Sequence, residues 1–320
     1  MFLVLSLYWC AITIVSRNFL YGVDMLKGSI VALVTPFTKY GNIDYSELEY
    51  LVNRHVEAGT DAIVAVGTTG ESTTLSHEEH IDVVSAMVEL ADGRIGVIGG
   101  NGSNSTSEAV QLTEKMSHLG VDGFLNVTPY YNKPSLAGLI AHYKACAEVS
   151  DIPQILYNVP GRTALDMTPD VIEQLAAIDG IIGIKEATGD ISRVADLRRR
   201  CGDDFILLSG DDPTAREFML AGGDGVISVT ANVVPAQMKA LVEAATQGLR
   251  AEAEAIDKQL EALHQVLFIE SNPIPVKWAL ALMGWCSANY RLPLTPPELH
   301  HQEKIEAVLA ELDLLNSQES

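Results

Sequence analysis

Positive charge is what this sequence has least of: 21 lysines and arginines stand against 42 aspartates and glutamates, giving a formal net charge of −21 and a pI near 4.6. Phosphate backbones and anionic lipid surfaces are bound by clustered Lys and Arg that displace counterions, so neither nucleic acid nor membrane is expected as a partner. Cysteine is scarce as well. Cys10, Cys146, Cys201 and Cys286 are far apart and form no C-x-x-C, which speaks against a zinc knuckle or a disulfide scaffold and fits the reducing cytoplasm expected as the setting. No stretch is rich enough in Gly or Ser to be a flexible linker.

Long apolar runs are missing too, with one exception at residues 2–15, followed by Arg17. That run is shorter than the roughly 20 residues needed to span a bilayer, no positive residue precedes it, and no A-x-A-like cleavage site follows it. Residues 1–24 are therefore set apart from the fold as an apolar extension, either a mis-assigned start ahead of Met25 or a processed segment. Two common signatures also fail. Gly100-Asn101-Gly102 follows an apolar run, but Ser105 stands where a dinucleotide fingerprint needs its third Gly. His77-Glu78-Glu79-His80 spaces its histidines three apart, whereas the zinc helix H-E-x-x-H needs four. Neither NAD nor a metal is expected.

What is there is enough apolar residue, 48% of the chain, to bury a large core, in one barrel or in two smaller domains. Short β-branched runs recur at 29–34, 62–66, 95–98, 123–127, 154–157, 181–184, 205–208 and 226–229. Between most of them lie stretches of helical period, such as Leu48, Leu51, Val52 and Val56. Ser76/Glu79 and Ser105/Glu108 read as capping boxes, Thr168 before Pro169 as a helix start, and Gly59 and Gly120 as helix stops. Eight strands alternating with helices predict an α/β fold, a (β/α)8 TIM barrel over 25–248, because an open doubly wound sheet usually has five or six strands. From about Val234 to Leu315 the pattern is helix alone, with a Thr295/Glu298 capping box. It completes the barrel and continues as a C-terminal helical extension, 249–320.

In such a barrel, chemistry sits at the C-terminal ends of the strands. Lys185 closes the apolar run Ile181-Ile182-Gly183-Ile184. Strand alternation puts Ile181, Gly183 and Lys185 on one face and Ile182 and Ile184 on the other. If the latter pair faces the helices, Lys185 points into the barrel, where burial disfavours the ammonium and favours an amine able to attack a ketone. The alternative is a strand-end lysine paired with Glu186 or another acid. Tyr157 ends the preceding strand, as a proton carrier or as core packing. Thr68 and Tyr131 follow strands two and four, with hydroxyls able to relay protons. Arg162, on the loop after strand five, either holds an anionic substrate or makes a loop salt bridge.

Taken together, Gly67-Thr68-Thr69-Gly70-Glu71-Ser72, Thr128-Pro129-Tyr130-Tyr131-Asn132, Tyr157-Asn158-Val159-Pro160-Gly161-Arg162-Thr163, Gly183-Ile184-Lys185-Glu186-Ala187, Ser209-Gly210-Asp211-Asp212 and Asn272-Pro273-Ile274-Pro275-Val276-Lys277 resemble the dihydrodipicolinate synthase family, from about Met25 to the C-terminal helices. The resemblance implies that Lys185 condenses with pyruvate and that Tyr157, Thr68 and Tyr131 move protons, Tyr131 from a neighbouring subunit. It implies that Thr68 and Thr69 hold the pyruvate carboxylate, that Arg162 holds the carboxylate of L-aspartate-4-semialdehyde, and that Gly210 and Ile227 line the pocket. The product would be 4-hydroxy-tetrahydrodipicolinate, on the route to diaminopimelate and lysine, with no cofactor because the protonated imine is itself the electron sink.

Ser72, Thr73, His77, His80, Asn104, Glu108 and Tyr130 resemble positions where some members of the family bind L-lysine as an allosteric feedback inhibitor. The alternative for the two histidines is a solvated first helical turn. A homotetramer of tight dimers is implied by the resemblance alone. Sister aldolases, N-acetylneuraminate lyase or the 2-keto-3-deoxy sugar-acid aldolases, share the lysine and tyrosine but accept other aldehydes; Arg162 and Thr69 favour the synthase. A non-catalytic regulator on an enzyme scaffold is the reading from a different class, since fold does not fix function. The intact set Thr68, Tyr131, Tyr157 and Lys185 opposes it.

Overall fold

The apolar runs become eight strands: β1 (Gly28–Ala32), β2 (Ala62–Ala65), β3 (Gly96–Gly100), β4 (Gly123–Val127), β5 (Gln154–Asn158), β6 (Ile181–Glu186), β7 (Ile206–Ser209) and β8 (Gly225–Ser228). Each pairs in parallel with the next, and β8 returns to β1, so the sheet closes into a barrel. This computed structural model describes residues 25–315; the expected extension 1–24 lies outside the described residues.

The intervening helices are α1 (Tyr45–Glu57), α2 (His77–Ala91), α3 (Thr106–Met116), α4 (Leu136–Ala147), the single turn α5 (Pro160–Thr163), α6 (Pro169–Ala176), α7 (Ser192–Cys201), α8 (Ala215–Leu220) and α9 (Pro235–Thr246). Beyond them come α10 (Arg250–Val266), α11 (Ile274–Leu282) and α12 (Leu299–Glu311). Among the described residues no helix is long and apolar enough to cross a membrane. The Ser76/Glu79 capping box forms with both of its bonds, and Thr168 caps α6 with Pro169 behind it.

Other expectations need correction. Ser105 caps α3 without a side-chain bond, because its hydroxyl turns to Ser107 while Glu108 takes the Ser103 hydroxyl at 2.8 Å. The Thr295/Glu298 box is absent: Glu298 itself is the N-cap of α12, with Pro296 and Pro297 holding Thr295 outside the helix. The same prolines, with Pro293, explain why the expected all-helical tail is irregular between Leu282 and Leu299.

Side chains from both sides of the sheet make the core. Inside the barrel Ile30, Val64, Ile98, Leu125, Ile155, Ile206, Leu208 and Ile227 fill the lumen, and two larger clusters pack the outer faces against the helices. Each fully buried aliphatic side chain contributes roughly 1.5–3 kcal/mol. Simple alternation along β6 fails at its start. The β5–β6 register shifts there, Gln154 facing Ile181 and Ile155 facing Gly183. That irregularity sends Ile182 into the lumen with Ile155, while Ile181 and Ile184 both face the helices. Alternation resumes at Ile184, so Lys185 still points inward.

The N-terminal face of the barrel is closed by aspartates one residue ahead of a strand. Asp61, Asp122 and Asp224 each accept the backbone N–H of the neighbouring strand, at Ser29, Val97 and Leu207, at 2.8 Å in every case. Lys239 and Arg198 neutralise Asp61 and Asp224. The opposite face is left open.

Candidate active site

Parallel pairing of β5 with β6 puts Tyr157 directly beside Lys185. Lys185 is 5% exposed, and its Nζ lies 4.4 Å from the centre of the Tyr157 ring. The expected alternative partner, Glu186, faces away. It accepts from Asn158 and from the Thr188 N–H and joins Arg193 and Asp166 in a network outside the lumen. Hydrogen bonding to Arg193 holds the Asp166 carboxyl below its usual range. Among the described residues Lys185 has no carboxylate partner, and Asp211 on the same cavity wall is occupied by the Thr214 hydroxyl at 2.6 Å.

Gly210 exists to let this lysine through. A Cβ there would stand 2.8 Å from Lys185 Cε and 2.7 Å from Ala187 Cβ. Thr68 and Thr69 arrive on the turn after β2, which begins at Val66 with φ 54°, a left-handed conformation a β-branched residue rarely adopts. Gly100 leaves room for it, since a Cβ at that position would meet the Val66 carbonyl oxygen at 2.4 Å. Such backbone strain costs of order 1–3 kcal/mol and persists where surrounding packing enforces it. Among the described residues the N–H groups of Thr68 and Thr69 have no acceptor. Consecutive free amides of this kind make an anion-binding concavity.

An inner cavity of about 150 Å³ collects Thr68, Thr69, Tyr157, Arg162, Lys185 and Gly210. Ile227 is not on its surface; it is buried in the barrel's apolar filling beneath. Tyr131 is not there either: it is 89% exposed, on a loop where its own φ is 73°. Arg162 makes no salt bridge among the described residues. Its Nη2 donates instead to the Asn272 carbonyl at 3.0 Å, which aims the guanidinium across the cavity mouth.

Asn272 carried no role in the sequence, yet its side-chain amide donates to Thr69 Oγ1 at 2.9 Å, so one residue of the C-terminal region braces both expected anion holders. Phe268, from the same region, joins the wall. About 200 residues separate these partners in the chain, and no local pattern links them. The motif ending in Lys277 was the available signal: Lys277 makes a 2.5 Å ion pair with Glu71, fixing the turn that bears Thr68 and Thr69.

An outer cavity of about 570 Å³ adjoins the first through Thr68, Val159, Arg162 and Asn272. Ser72, Thr73, His77, His80, Glu108 and Tyr130 all line it; Asn104 does not, although its carbonyl accepts from Asn132. His80 is buried against the Gly100 carbonyl at 2.6 Å, and burial lowers its pKa to about 4. Neutral at ordinary pH, it is no solvated first-turn residue.

Residues 25–312 match the family model for the dihydrodipicolinate synthetase family. The chain is 78% identical over 296 residues to the 4-hydroxy-tetrahydrodipicolinate synthase of Idiomarina loihiensis, covering 92% of this chain and 100% of that one. Among solved structures, the chloride-inhibited dihydrodipicolinate synthase from Acinetobacter baumannii complexed with pyruvate is 49% identical, with TM-score 0.88 over 90% of this chain and 99% of that chain. The enzyme from Cyanidioschyzon merolae with lysine bound is 38% identical, with TM-score 0.88 over 91% and 99%. In sequence and in fold alike, the chain belongs to the dihydrodipicolinate synthetase family of lyase-type enzymes.

Proposed function

We propose that this enzyme condenses pyruvate with L-aspartate-4-semialdehyde through a Schiff base on Lys185. The observation that carries the reading is a buried lysine without a carboxylate partner, beside Tyr157, on the wall of a small cavity that Thr68 and Thr69 also line. The neutral amine adds to the pyruvate ketone, and loss of water, with Tyr157 passing protons, leaves the protonated imine. Thr68 and Thr69 hold the carboxylate. Loss of a methyl proton gives the enamine, which attacks the aldehyde carbon. The acceptor's amino group then displaces Lys185 and closes the ring. An imine already carrying positive charge needs no metal or organic cofactor.

Arg162 at the mouth suits a carboxylate on the acceptor, where a sugar-acid aldolase needs hydroxyl partners. Turnover with L-aspartate-4-semialdehyde, at least tenfold weaker in Arg162→Ala through KM, tests this. Preference for a polyhydroxy aldehyde would hand the site to the sister aldolases. Tyr131, exposed here, suits a role in the site of a neighbouring subunit within a tetramer. Tyr131→Phe should lower kcat while leaving the oligomer intact in sedimentation.

The outer cavity favours a second ligand. Six of the seven residues expected around L-lysine share it, and a relative carries lysine in its structure. Feedback inhibition follows, in a biosynthetic route ending in lysine; unchanged turnover in millimolar lysine would remove it.

A further inference from the structure

The start of α12, whose side chains line neither cavity and are unused by the reaction, gathers an unusual set of groups. Ligand atoms of Glu298, His300 and His301 all lie within 4.8 Å of one another. Neighbouring helical residues ordinarily diverge around the axis. Here the His300 and His301 rings lie against each other, centroids 3.8 Å apart and planes tilted by 44°, so both imidazoles stand on one side. His300 Nδ1 is 3.3 Å from Glu298 Oε2. A fourth residue completes the picture: Glu270 Oε1 is 2.6 Å from His301 Nδ1 and also accepts the Glu298 N–H at 2.8 Å.

We propose that Glu298, His300 and His301 form a binding site for a divalent transition metal of the zinc or nickel class, with Glu270 as the carboxylate that orients His301. Two imidazoles and a carboxylate suit such ions and suit magnesium or calcium poorly, since those need mostly oxygen ligands. With Nδ1 engaged by Glu270, His301 is left Nε2 for the metal. That carboxylate–histidine arrangement is the usual outer support of a metal-bound imidazole. Two carboxylates also offset the positive end of α12, which alone would repel a cation.

The site is half open: the side chains of Glu298 and His300 are 74% and 57% exposed, those of His301 and Glu270 18% and 21%. Water therefore fills the remaining coordination positions, and affinity falls in the micromolar range rather than that of a closed structural zinc site. Glu270 stands on the segment between α10 and α11 that delivers Phe268 and Asn272 to the inner cavity. A bound metal would clamp that segment to α12.

The test is calorimetric titration of untagged, chelator-treated full chain with Zn²⁺, accompanied by Co²⁺ absorption spectra. One ion per chain is expected, with cobalt bands of nitrogen–oxygen coordination. Affinity should fall at least tenfold in His300→Ala and His301→Ala, and roughly 10–100-fold in Glu270→Gln, which removes no direct ligand. Zn²⁺ should raise the unfolding temperature of the wild type and leave that of the double histidine variant unchanged. Absence of binding at millimolar metal, or binding that survives the double variant, would overturn the proposal.

Discussion

Among the described residues two lysines are buried, and their surroundings differ. Lys277, 0% exposed, is sealed between the Phe37 and Tyr290 rings and pairs with Glu71, which is buried just as deeply. Burial pushes its ammonium below the usual lysine range, and Glu71 opposes that push. Lys185, 5% exposed, has a tyrosine ring and a cavity instead of a carboxylate. The Lys277 amine is taken up by its carboxylate partner and closed off from any ligand, whereas Lys185 opens onto a cavity from which a small molecule can reach its Nζ. The first lysine anchors the turn that carries Thr68 and Thr69, and the second shares a cavity wall with them.

The contrast can be broken from either side. Lys185→Ala should lower turnover by at least about four orders of magnitude, by loss of the nucleophile. Thermal unfolding should hardly move, because no buried partner is stranded. Lys277→Met should do the reverse, costing about 3–5 kcal/mol in denaturant titration because Glu71 is left buried and unpaired. Adding Glu71→Gln should recover much of that loss. Gly210→Ala sharpens the comparison more finely, since its Cβ would displace Lys185 at Cε. A misplacement of that size should lower kcat by about 10²-fold with the fold intact.

The smallest effect concerns buried bases that stay neutral. Burial holds His55 at about 3 and both His80 and His142 at about 4. All lie below the unfolded value of 6.5. Between those values the unfolded chain takes up protons that the folded chain refuses, so stability falls as pH drops from about 6.5 towards 4. The loss should be about 1–2 kcal/mol per histidine by pH 5. His142→Asn should flatten the stability–pH curve by one such share.

Much of this was legible in the chain. Strand spacing gave the barrel, and reactive residue types at strand ends gave Lys185, Tyr157, Thr68, Thr69 and Arg162 because in this fold the strand ends converge. What local pattern does not carry is pairing across the sheet and across the chain. The irregularity opposite Gln154 reversed the facing of Ile181 and Ile182, and Asn272 reaches Thr69 from 203 residues away. Pro296 and Pro297 undid a capping box whose letters were correct. Tyr131 follows the expected strand yet points to solvent in the single chain, away from the cavity its letters suggested.

The central claim is that Lys185 is the amine that pyruvate modifies. Intact-protein mass spectrometry after borohydride reduction with pyruvate addresses it directly. Wild type should gain one pyruvate adduct per chain and Lys185→Ala should gain none; an adduct that persists in Lys185→Ala, or its absence from wild type, would contradict the account.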